Sequence, residues 1–172
     1  MKVVSDSSPL IWLSKTGNLR LLRELYRDII IPLEVYEEVV VTGLREGFSD
    51  ALVVKRSINE GWIRIREIDP YDEELAQSLI ENAAELHSGE VNAILLARRK
   101  NALLLIDESS GRALAETWGI EVKGSLYVIL EALSEGLLNR EEARDAVTSM
   151  IVKGFRIDPS LVARLLDIID NF

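Results

Sequence analysis

The run Ala102–Ile106 (ALLLI) constrains the fold more than any other stretch of the chain. Five consecutive apolar residues with no polar alternation, bounded by Asn101 and Asp107, describe a strand buried on both faces. A strand of that kind needs helices above and below it. The chain supplies them, because short β-branched or aliphatic runs alternate along it with longer helical patterns. Lys2–Ser5 (KVVS), Asp28–Ile31 (DIII), Trp62–Ile68 (WIRIREI) and Ile120–Lys123 (IEVK) are the other four expected strands. The alternation predicts an α/β fold with a mostly parallel sheet and right-handed crossovers.

The helices have recognisable ends. Ser8 can cap a helix that carries Pro9 at its first position and runs to about Lys15. A second covers Leu19–Tyr26, and Pro32 opens a third that runs through Val41 and stops before Gly43. Further helices are expected over Phe48–Glu60, Asp72–Leu86, from a Ser88 cap to Lys100, and over Ser109–Trp118 with Gly119 beyond its end. After Gly124 the pattern is helical only: Leu126–Glu135, a helix to Lys153 opened by an Asn139/Glu142 capping box, and a last one opened by Asp158 and Pro159. No linker or internal repeat interrupts the chain. Residues 1–138 are read as one domain, with 139–172 a helical extension packed on it.

Composition removes several chemistries. With no cysteine there is no disulfide, thiolate metal site or thiol nucleophile, and the single histidine, His87, excludes a multi-histidine zinc site within one chain. The opening MKVVSDSSPLIWL is broken by Asp6 and three serines, so it does not read as a signal peptide. No apolar run approaches the ~20 residues that span a bilayer. The expected setting is the cytoplasm, away from membranes. The net charge of −9 disfavours a protein that coats nucleic acid by bulk charge. It is compatible with a nuclease, where divalent cations reverse the local sign.

The remaining chemistry lies in the acids. In open α/β sheets ligands bind at the carboxyl ends of the strands. Asp6 follows the first strand, Asp107 the fourth with Glu108 next to it, Glu90 opens the helix before the fourth strand, and Glu38 lies in the helix after the second. Each has an ordinary alternative. Asp6 can cap a helix, Glu90 and Glu108 can complement a helix N-terminus, and Glu37 and Glu38 can form a solvated acidic face. Together, clustered carboxylates repel unless a cation neutralises them, and oxygen donors alone select Mg²⁺ or Mn²⁺. Arg112 can reach a phosphate or pair with Glu108 one turn earlier. Arg98, Arg99 and Lys100 lie roughly 13 Å along the helix from Glu90 and suit its C-terminus. His87 is read as a loop residue beside the site, and Trp12, Trp62 and Trp118 as packing.

The segments VVSDSSPLIWLSKTGNLRLLRELY, IIIPLEVYEEVVV, SGEVNAILLARR and ALLLIDESSGRALAETWGIEVKGS, in that order, resemble a PIN domain over about Met1–Leu138. The resemblance is to the VapC-like subfamily in which Gly-Glu opens the third acidic helix. It implies a three-layer α/β/α fold with a five-stranded parallel sheet in the order 3-2-1-4-5 and a C-terminal helical extension. It also implies cleavage of single-stranded RNA with Mg²⁺ or Mn²⁺, and it carries the metal-site acids onto Asp6, Glu38, Glu90 and Asp107. Glu90 stands where many PIN domains have Asp. Glu108 stands where the subfamily often has a second Asp, which makes it a further metal-site candidate. A small antitoxin folded over the early helices and a homodimer are implied as partners. The sequence itself shows only an apolar surplus at Leu10, Trp12, Leu13, Leu21, Leu22 and Leu25, which suits an interface and core packing equally. Two other readings stay open: a non-catalytic PIN-like module that binds RNA or protein, and a flavodoxin-type phosphoacceptor using Asp6 and Asp107.

Overall fold

Five short strands pair in parallel in the order β3-β2-β1-β4-β5 in a computed structural model that describes residues 1–172. They are β1 (Val3–Ser5), β2 (Ile29–Pro32), β3 (Ile63–Arg66), β4 (Leu103–Leu105) and β5 (Val122–Lys123). The central pair is in register from Val3 opposite Leu103 to Ser5 opposite Leu105. Residues of β4 alternate between the two faces even though all are buried. Leu103 and Leu105 join Val3, Ile29, Ile31 and Ile63 in the larger core. Leu104 and Ile106 join Val4 in the smaller one. Hence ALLLI shows no polar alternation: it feeds two hydrophobic layers at once.

The smaller core is closed by α7 (Ser88–Lys100) and α8 (Ser109–Thr117), through Ala93, Ile94, Ala97 and Ala115. The larger is closed by α1 (Ser7–Lys15), α2 (Arg20–Tyr26), α5 (Ser49–Asn59) and α9 (Ser125–Ser134). The tail belongs to this second layer. Ala143, Val147 and Met150 of α10 (Arg140–Val152) and Leu165 and Ile169 of α11 (Pro159–Asp170) lie in the same core as Val3 and Leu10. Asn139 and Glu142 form the reciprocal cap at the start of α10, with Asn139 Oδ1 accepting from the Glu142 amide at 2.9 Å. α6 (Glu73–Asn82) covers the outer side of α7. No helix is long and apolar enough to cross a membrane.

Several boundaries differ from the sequence reading. α1 begins at Ser7, with Asp6 at the N-cap position and Pro9 two residues inside; proline fits there because the first-turn amides have no partner within the helix. α7 is capped by His87 instead of Ser88. The expected helix over Asp72–Leu86 is shorter, a 3₁₀ turn at Pro70–Asp72 followed by α6. β3 ends at Arg66, two residues before Ile68. The apolar surplus of the early helices is core: Leu10, Leu13, Leu21 and Leu22 are fully buried. The apolar residues left at the surface near them are Val41, Phe48, Leu52 and Val53.

The largest departure is after Pro32. The helix does not stop at Gly43. It passes from α3 (Leu33–Tyr36) through a π-helical stretch at Glu37–Thr42 into α4 (Gly43–Arg45). Gly43 has ordinary helical dihedrals and is there for space: a Cβ on it would come within 2.8 Å of Ala51 Cβ in α5. Alanine improves helix propensity by about 1 kcal/mol, but two fixed Cβ atoms cannot rotate apart, and such overpacking costs about 1–3 kcal/mol. Gly43→Ala is therefore expected to lower stability in urea denaturation, and adding Ala51→Gly is expected to recover most of the loss.

Candidate active site

The carboxyl ends of β1, β2 and β4 open into one cavity of about 420 Å³, lined by Asp6, Ser7, Glu38, Glu90 and Glu108 together with Ile11 and Trp12. Asp6 is carried there by β1, and its amide donates to Leu105 O at 2.9 Å, which extends the β1–β4 ladder to the rim of the site. Although Asp6 stands at the N-cap of α1, its carboxylate makes no capping hydrogen bond. It is 3% exposed and faces acids. Burial raises its pKa from 3.8 to about 7; the adjoining Ser7 amide pulls it down, and Glu90, Glu38 and Glu108 push it up again.

Glu90 is equally buried. Its Oε2 accepts from the His87 amide at 2.9 Å, the reciprocal contact that starts α7. Its Oε1 is buried with no hydrogen-bond partner. A carboxylate oxygen buried without a hydrogen-bond partner is costly. Burial raises the Glu90 pKa, the His87 amide and ring lower it, and Glu108 and Glu38 raise it. Gly111 in α8 leaves room for this side chain, since a Cβ there would lie 3.1 Å from Glu90 Oε1 and 2.4 Å from Ile106 Cδ1.

Glu37 and Glu38 both lie in the π-helical stretch, and only Glu38 reaches the cavity. Glu38 lines the cavity and its Oε2 accepts from Ser7 Oγ at 2.6 Å, whereas Glu37 lies outside it. Glu38 Oε2 and Asp6 Oδ1 approach the same point over Gly89, 3.6 and 3.7 Å from a Cβ built there. Glu108 completes the rim, its Oε1 accepting from Ser8 Oγ at 3.2 Å.

Asp107 is placed differently from the other acids. Its carboxylate accepts from the Ser125 amide at 2.7 Å and from Ser125 Oγ at 2.5 Å, and so holds the first turn of α9. It lines a neighbouring cavity with Arg112 and Gly124. A Cβ on Gly124 would come within 2.8 Å of Asp107 Oδ1, so glycine permits the approach. Burial raises the Asp107 pKa and the two Ser125 bonds oppose it. Of the sequence-expected acids, Asp6, Glu38, Glu90 and Glu108 share one cavity, and Asp107 stands behind its wall. The sequence signal for this was Gly124-Ser125 directly after the fifth strand. Arg112 donates to Ile106 O at 3.0 Å and lies 3.9 Å from Glu116, so it pairs with neither Glu108 nor Asp107. Arg99 pairs with Asp72, and Arg98 lies over the Trp118 ring, both away from the site.

A family model described as "DUF3368: PIN domain" matches residues 2–171. The chain belongs to the PIN domain family. PIN domains are in general nucleases and are typically metal-dependent. Among curated proteins, none matches. Among solved structures, the fold is similar to a PilT N-terminus domain protein from the hyperthermophilic archaeon Sulfolobus solfataricus P2, with a TM-score of 0.51 at 17% identity. The match covers 77% of this chain and 94% of that one. The expected five-stranded parallel sheet, its 3-2-1-4-5 order and its flanking helices are thus borne out.

The donor chemistry of these acids suits a divalent cation. The donors are all oxygens, one of them is a buried carboxylate oxygen without a hydrogen-bond partner, and burial raises the pKa of both Asp6 and Glu90. No three of these acids stand close enough together in this structure to form a metal-holding group.

Between its ordinary value of 3.8 and about 7, folded protein holds a proton on Asp6 that the unfolded chain has released. Stability therefore falls as pH rises through that interval. In EDTA, the loss of unfolding free energy from pH 5 to pH 8 is expected to be smaller in Asp6→Asn by about 2 kcal/mol. Urea titrations at the two pH values measure it. Added Mn²⁺ is expected to raise the stability of wild type at pH 8 more than that of the variant.

Proposed function

We propose that this protein is an endoribonuclease that hydrolyses phosphodiester bonds in single-stranded RNA with Mg²⁺ or Mn²⁺, as the toxin of a VapBC-like pair. The observation that carries the proposal is the buried Asp6–Glu90 pair beside an acidic cavity, both pushed toward the protonated form, with one Glu90 oxygen left without a hydrogen-bond partner. Burial penalises such a pair, and no lysine or arginine lines the cavity to offset it, so the missing counter-charge falls to a cation. Asp6 and Glu90 would hold the cation, with Glu38 and Glu108 completing the shell. When bound, such a cation lowers the pKa of a water and stabilises charge on phosphate oxygens.

The side chains divide the remaining work. Ser7 holds Glu38 in place by its 2.6 Å hydrogen bond, which leaves the other Glu38 oxygen to orient an attacking water. Ser8 does the same for Glu108. Asp107 acts on the scaffold: by tying down Ser125 it fixes the start of α9 and the wall behind Glu108. The exposed apolar residues Val41, Phe48, Leu52 and Val53 around α4 and α5 supply a surface for a small antitoxin or for a second copy of the chain.

Cleavage of single-stranded RNA by purified protein, followed with Mg²⁺, Mn²⁺ or EDTA, tests the proposal. Cleavage is expected to need the cation and to fall at least about a hundredfold in Asp6→Asn and in Glu90→Gln. Folded protein that binds RNA but never cleaves it would replace the proposal with a non-catalytic PIN-like binding module. The division between neighbouring acids has its own check. Glu108→Gln is expected to lose cleavage while keeping its stability. Asp107→Ala leaves the Ser125 amide unpaired and is expected to lose about 1–2 kcal/mol in denaturation.

A further inference from the structure

The Asp107 side of the sheet edge carries a second cavity, of about 590 Å³, larger than the acidic one. Its composition is unlike its neighbour's. It is lined by Arg112, Arg156, Tyr127 and Phe155 with the aliphatic Leu130 and Leu161, and its acids already have partners: Asp107 on Ser125 and Asp158 on Ser160. In a chain of net charge −9, this places two guanidinium groups beside two aromatic rings.

The two cavities share a wall. Trp12 lines the acidic one and Phe155 the other, and their rings meet edge to face with centroids 5.2 Å apart. Glu108 faces one and Asp107, its neighbour in sequence, the other. A polynucleotide with a phosphate at the acids would reach the second cavity with its adjoining residue. Tyr127 is set to receive it: the residue is 48% exposed, and Lys123 fixes the ring from the β5 side, 4.6 Å from its centroid. Arg156 is exposed and makes no ion pair. Arg112 spends one nitrogen on Ile106 O and has only a 3.9 Å approach to Glu116 for the other.

We propose that this cavity is a nucleotide subsite flanking the cleavage position, in which Tyr127 and Phe155 stack a base of single-stranded RNA and Arg112 and Arg156 hold its phosphate. The inference rests on the ribonuclease reading of the acidic site. Aromatic stacking accepts any base, and guanidinium groups supply the charge that the acidic cleft lacks. The subsite thus accounts for substrate hold in an acidic protein and for a preference for single strands, whose bases are free to stack.

The test is fluorescence anisotropy with an end-labelled single-stranded RNA oligonucleotide and Mg²⁺, in an Asp6→Asn background so that binding is read without cleavage. Tyr127→Ala and Arg156→Ala are each expected to weaken binding about tenfold, and Tyr127→Phe to retain it. Both positions are at the surface, so circular dichroism is expected to match the parent. Equal affinity in all four proteins would overturn the subsite and leave the ribonuclease reading standing, with the cavity free for a protein partner. Absence of any RNA binding would also overturn it. The cleavage assay on the wild-type chain decides the ribonuclease reading separately.

Discussion

The pairing of β1 with β4 is the contact on which the rest of the molecule depends. These two three-residue strands carry the centre of both hydrophobic layers, and their shared edge sets where the acids emerge. Ser5 stands opposite Leu105, so Asp6 leaves β1 at the level where Ile106 ends the buried run. The Asp6 amide still bonds to Leu105 O, which keeps its carboxylate inside the cleft and away from solvent. A shift of one residue in this register would turn every side chain of β1 to the other face and move Asp6 out of the site.

What the sheet brings together, electrostatics then sets at odds. Asp6 and Glu90 are nearly inaccessible, and Glu38 and Glu108 add further negative charge around the same cavity. In a medium that solvates charge poorly, burial raises the pKa of Asp6 and of Glu90. The local structure is rigid where this tension is greatest: the ladder under Asp6, the capping contact on Glu90 and the serines on Glu38 and Glu108 each fix one acid.

The α/β class was legible because it follows from local chemistry. A doubly buried strand leaves an unbroken apolar run, and amphipathic helices with polar caps leave their own periodic marks, so the five strands and most helices were visible within a few residues. The error at Gly43 shows the limit of that reading. Glycine marks the end of a helix or a close approach between helices, and only the position of Ala51 in space separates the two. The early leucines likewise suit an interface in the sequence, and the packing of α5 and α9 on α1 and α2 makes them core.

The sequence alone determined which acids could matter, because the end of each buried strand and the start of the following helix are local events. Asp6, Glu90 and the pair Asp107–Glu108 were all marked in this way. Only the tertiary structure decided which of them face one another. Asp107 and Glu108 lie in the loop between β4 and α8, and their partners separate them: Ser125 holds Asp107 and Ser8 holds Glu108. Glu38 is the acid the resemblance points to; that its carboxylate meets Ser7 at the cavity is a matter of packing. Side-chain identity is written in one dimension, whereas convergence is a property of packed elements.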